Sequence, residues 1–115
     1  MAERRNGSRH WLAQRLTALA LAPLSFWFLV AMAEQAGRGH DAVARWIGQP
    51  VTALALAALL GIGLWHALLG MESVLIDYLH AKRARALCLF ALRLAALALA
   101  ALGAWSLAAL AIGFR

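Results

Sequence analysis

Acidic residues are scarce in this 115-residue chain: there are five Asp and Glu against eleven Lys and Arg, and charged residues make up only 14% of the total. Hydrophobic residues make up 64%. A soluble domain of this length could not cover its core with so little polar surface, so a water-soluble globule is excluded. One cysteine, Cys88, rules out an internal disulfide and leaves no cysteine set for an iron–sulfur cluster. It reads as a small apolar helix residue. No small-x-small cleavage site follows a short apolar core at the usual distance with a soluble domain after it, so the first apolar run does not read as a signal peptide. The net charge of +6 carries no aromatic–basic interleaving, and no nucleic-acid partner is expected.

What the chain does have is three long apolar segments, each long enough for the roughly 20 residues that a bilayer crossing needs, the second long enough to tilt. They predict an all-α membrane protein, a single domain over residues 1–115, with three transmembrane helices at about 14–34, 50–79 and 86–112. Pro23 lies within the first span and is a candidate kink; Pro50 opens the second, where its missing donor costs little. Gly37 to Gly39 ends the first helix, and Asp41 to Trp46 reads as a short amphipathic segment. Trp11 and Trp46 sit where interfacial anchors belong. Residues before about His10 read as loosely ordered or lying on the membrane surface. Arg93 lies inside the third span, within snorkelling reach of the headgroups.

The basic residues are unevenly distributed. Arg4, Arg5, Arg9 and Arg15 precede the first span, and Lys82, Arg83 and Arg85 lie between the second and third. The first loop has only Arg38 and Arg45, with Asp41 beside them, and Arg115 ends the chain. The positive-inside rule puts the N-terminus and second loop on the cytoplasmic side.

The second span carries the polar residues of interest. Taking about 100° per residue, Gly63, Gly70, Ser73 and Asp77 fall on the same side as His66. A neutral imidazole in a lipid-spanning helix suits haem iron, and glycines beside it leave room for a flat group. The alternatives are a hydrogen bond from His66 to a neighbouring helix and close helix packing on the glycines. His10, His40 and His80 are placed near helix ends or in loops, so a second axial histidine would have to come from another chain. Asp77 and Tyr78 lie about 16 Å further along the helix. There, a phenol can donate to a quinone carbonyl while a carboxylate orients groups or relays protons. A belt tyrosine beside a solvated aspartate is the plainer reading. Glu72 points away from the stripe and needs either an ion-pair partner or a wet cleft. Arg15, with Gln14 at the first membrane boundary, suits a haem propionate as well as a topology role.

His66, Gly70, Asp77 and Tyr78, with the N-terminal Gly7…His10…Gln14-Arg15-Leu16-Thr17-Ala18, resemble the smaller hydrophobic membrane anchor of succinate dehydrogenase (respiratory complex II). The alanine-rich style is similar to alphaproteobacterial versions. The resemblance implies that His66 is an axial ligand of haem b, with the other supplied by the companion anchor of the pair. It implies ubiquinone at Tyr78 with Asp77 in support, and Arg15 near the propionates or quinone pocket. Further expected partners are the iron–sulfur protein, the flavoprotein and the lipid bilayer, with no catalytic residue for succinate in this chain. A fumarate reductase anchor is the near alternative, and a small transporter or structural membrane protein the distant one. The first span has no buried charge of the kind such transporters use. A short N-terminus containing Glu3 does not read as a transit peptide, so the expected location is the bacterial inner membrane.

Overall fold

A computed structural model describes the backbone of residues 2–113 and the side chains of residues 8–113. Gly7 and the charges of Glu3, Arg4, Arg5 and Arg115 lie outside the described side chains. Four helices follow in order: α1 Ala2–Gln35, α2 His40–Gly48, α3 Pro50–Tyr78 and α4 Lys82–Gly113. Three stretches are long and apolar enough to cross a membrane: Ser8–Gln35, Pro50–Tyr78 and Lys82–Gly113. The all-α, three-span reading holds, and the amphipathic segment is α2.

Local chemistry accounts for the boundaries. α1 runs through Pro23 without a break, which a membrane helix in a bundle tolerates. It stops before Gly37 and Gly39, whose φ angles of 83° and 91° lie where a Cβ is strongly disfavoured. α2 carries Asp41 in its first turn and Arg45 in its last, both favourable to the helix dipole. Pro50 occupies the first turn of α3, and Leu79 leaves that helix extended. α4 begins three residues later.

The N-terminal segment departs from expectation. The chain is helical from Ala2, two turns before His10, so His10 is a helix residue rather than an end residue. Ala, Arg and Glu are good helix formers, and they outweigh Asn6, Gly7 and Ser8.

α3 is the central element and packs against α1 on one side and α4 on the other, while α2 lies across the ends of α3 and α4. The molecule measures 51 × 26 × 23 Å. Its burial pattern is inverted relative to a soluble domain. Large apolar side chains such as Leu19, Phe26, Leu97 and Trp105 face outward, whereas Thr17, Gln35 and Thr52 are buried. Lipid gives helices no hydrophobic reason to associate, so close packing and interhelical hydrogen bonds must hold them together. Two glycines supply the closest packing. A Cβ on Gly48 would lie 2.6 Å from the Leu110 carbonyl oxygen, and one on Gly103 would strike the Leu60 side chain. Trp46 of α2 meets Trp27 of α1 with ring centroids 6.3 Å apart.

Candidate functional site at the α1–α3 seam

The small and polar stripe of α3 faces α1. The two helices run antiparallel, so partners rise in number along α1 as they fall along α3. His10 Nε2 lies 2.9 Å from Ser73 Oγ and 3.1 Å from the Leu69 carbonyl oxygen. A Cβ on Gly70 would stand 3.7 Å from Gln14 Nε2, and one on Gly63 would stand 3.9 Å from Leu21. Between them, Thr17 Oγ1 lies 2.8 Å from His66 Nδ1. Of the two alternatives left open for the stripe, the helix-to-helix hydrogen bond is present. A Cβ on Gly63 or Gly70 would make only ordinary contact with α1.

Thr17 is only 4% exposed, and its hydroxyl also lies 2.7 Å from the Ala13 carbonyl oxygen and 3.0 Å from that of Gln14. His66 is half-buried, and its Nε2 has no hydrogen-bond partner among the described residues. No group of three or more His, Cys, Asp or Glu side chains converges on a metal position among the described residues. The middle of α3 thus presents one imidazole nitrogen without a partner among the described residues. Beside this seam an open apolar groove of about 300 Å³ is lined by Leu12, Leu16, Thr17, Ile62 and Trp65, with Arg9 among its walls.

The other sequence candidates are spread out. Asp77 is exposed, Tyr78 is 78% exposed as the last residue of α3, and neither side chain has a hydrogen-bond partner among the described residues. Arg15 is exposed on the outer side of α1, its guanidinium 5.5 Å from the Trp11 ring centroid. Glu72 does find an ion-pair partner: Arg93 Nε donates to Glu72 Oε1 at 3.2 Å. Arg93 therefore reaches across to α3 instead of simply snorkelling, because a carboxylate lies within range.

Two residues of the seam carry more than their sequence reading gives them. Thr17 enters that reading only as part of a motif, and His10 as part of the same motif and as a helix-end residue. Their spacing holds a signal: His10, Gln14, Thr17 and Leu21 recur at intervals of four, three and four, one helical face with three polar members in an apolar segment.

Residues 2–112 match the family described as succinate dehydrogenase/fumarate reductase transmembrane subunit. The chain is 31% identical over 81 residues to the succinate dehydrogenase hydrophobic membrane anchor subunit of Rickettsia prowazekii, covering 70% of this chain. That match spans just under two thirds of the relative's own length, 65%. It is 29% identical over 90 residues to the protein of the same description from Rickettsia bellii, covering 78% of this chain and 72% of that one. The succinate dehydrogenase membrane anchor subunit of Reclinomonas americana is 29% identical over 94 residues, 77% of each chain. No solved structure matches the chain significantly. The family match runs from the first turn of α1 to the last turn of α4, and the chain belongs to the succinate dehydrogenase/fumarate reductase transmembrane subunit family.

Proposed function

We propose that this multi-pass protein is the smaller hydrophobic anchor of a bacterial succinate dehydrogenase, and that it shares haem b and a ubiquinone site with a companion anchor in the inner membrane. One observation carries the reading. His66 lies near the middle of an apolar helix, with Nδ1 held by Thr17 and Nε2 free of protein partners among the described residues. A neutral imidazole engaged at one nitrogen and open at the other is the form that ligates haem iron. The second axial histidine would come from the companion anchor, because this chain offers a single such nitrogen at that depth. Haem bound there supplies one-electron chemistry.

The remaining roles belong to this chain's own side chains. Tyr78, exposed at the end of α3, donates its hydroxyl proton in a hydrogen bond to a ubiquinone carbonyl. Asp77 beside it orients the site or passes protons as the quinone is reduced. Arg15 offers a guanidinium to a propionate or to the quinone pocket. Gly70, one turn from His66, would leave room beside the imidazole for a flat group. The Lys and Arg bias puts the Tyr78 end on the cytoplasmic side, where the flavoprotein and iron–sulfur protein would be tethered. Electrons from succinate would reach ubiquinone through those two proteins, with no succinate chemistry in this chain. A fumarate reductase anchor is disfavoured because the Rickettsia and Reclinomonas relatives are described as succinate dehydrogenase anchors.

The test is a reduced-minus-oxidised optical spectrum of the purified complex, wild type against His66→Ala. The b-type signal is expected to disappear in the variant, and a signal that persists unchanged removes His66 as ligand. For the quinone site, Tyr78→Phe removes one hydrogen bond, worth about 1 kcal/mol, and so slows quinone reduction several-fold. Succinate oxidation by an artificial acceptor should be unaffected; equal losses in the two assays would contradict the assignment.

A further inference from the structure

We infer that Thr17 is a positioning residue for His66: its hydroxyl accepts a hydrogen bond from Nδ1–H, which fixes the imidazole tautomer and leaves the lone pair on Nε2. The inference rests on the haem reading and adds to it a residue on another helix.

The constraint comes from where one proton can go. The Thr17 hydroxyl has a single hydrogen and three close neighbours. Two are carbonyl oxygens, of Ala13 at 2.7 Å and Gln14 at 3.0 Å, and these can only accept. The third is His66 Nδ1 at 2.8 Å, which either donates or accepts according to the tautomer. Were the hydroxyl proton given to Nδ1, Oγ1 would face two carbonyl oxygens at hydrogen-bonding distance with no hydrogen between them, a repulsive arrangement. Giving the proton to the backbone removes that repulsion, and Nδ1 must then carry its own hydrogen and donate it to Oγ1. The neutral ring that results has its bare lone pair on Nε2.

Burial strengthens the constraint. Thr17 is 4% exposed, so water does not compete for its hydroxyl. Threonine is also stiff at χ1, and its bond back to the preceding turn holds Oγ1 in one place. Donation from Nδ1–H makes the imidazole a stronger electron donor through Nε2, which favours ferric over ferrous iron. Partners of this kind typically account for a 10- to 100-fold change in metal affinity or activity when removed.

His10 gives an internal contrast. Its Nε2 faces the Leu69 carbonyl oxygen at 3.1 Å and Ser73 Oγ at 2.9 Å. Ser73 itself donates to that carbonyl at 3.1 Å. Both neighbours of Nε2 therefore accept, and His10 is protonated there. The same seam thus holds its two histidines in opposite tautomers.

The test uses the whole purified complex carrying Thr17→Val or Thr17→Ser, with His66→Ala alongside. In Thr17→Val the haem remains low-spin with two nitrogen ligands. Its midpoint potential rises, the ferric electron paramagnetic resonance signal shifts, and haem is lost more readily under detergent challenge. Thr17→Ser, which keeps the hydroxyl, restores all three to wild-type values. A valine variant with unchanged potential and resonance signal overturns the inference, as does a serine variant displaced as far as valine. Loss of the haem reading itself is recognised separately, by a wild type without b-type absorption or by a His66→Ala complex whose signal is intact. Should the valine variant fail to assemble, nitrogen NMR of histidine-labelled wild-type complex, prepared under haem depletion, decides the matter. His66 protonated at Nδ1 is expected, and protonation at Nε2 refutes the role.

Discussion

Along α1, helix α3 presents histidine, glycine and serine to polar partners. Along α4, it presents Leu64, Ala67, Leu68 and Met71 to Leu92, Ala95, Ala96 and Leu99. The first seam is tied by hydrogen bonds between His10 and the Leu69–Ser73 turn and between Thr17 and His66. The second is apolar interdigitation, with Glu72–Arg93 as its one cross-helix polar contact among the described residues. One helix thus meets its two neighbours by different physics. Lipid permits both solutions, but only the polar seam can define the protonation of a ring. Shape alone suffices where a helix merely has to be held, as α4 is.

Adding one methyl group should damage the apolar contacts most. Gly48→Ala puts a Cβ 2.6 Å from the Leu110 carbonyl oxygen, which is backbone and cannot rotate away. It should cost about 1–3 kcal/mol, read as a lowered denaturation midpoint of the complex in detergent. Gly103→Ala meets only the Leu60 side chain, which can turn aside, so its loss should fall below that of Gly48→Ala in the same assay. A Gly103→Ala penalty as large as that of Gly48→Ala would mean Leu60 has no alternative rotamer.

The polar seam should show smaller energies but clear coupling. A double-mutant cycle of His10→Ala with Ser73→Ala should return about 0.6 kcal/mol, the usual scale for hydrogen bonds between membrane helices. Additive single effects would show that the pair is geometric only.

Much of this architecture is legible in the sequence because bilayer thickness imposes a length and water imposes polar ends. The three spans, the turn at Gly37–Gly39, α2 and the opening of α3 at Pro50 follow from those constraints. The His66 stripe is visible through helical spacing, as is the need of Glu72 for a partner. The identity of that partner is not, since Arg93 lies on another helix and pairing depends on axial offset. Nor does composition reveal which helix Gly63 and Gly70 face; the position of α1 shows that. Thr17 stays hidden for a similar reason: a lone threonine in an apolar run says little until its neighbour across the seam is known.

Gly48, tucked against the Leu110 carbonyl, fastens the connector between the first two crossings to the tail of the third. A change in bilayer thickness that tilts the third crossing therefore carries the connector with it.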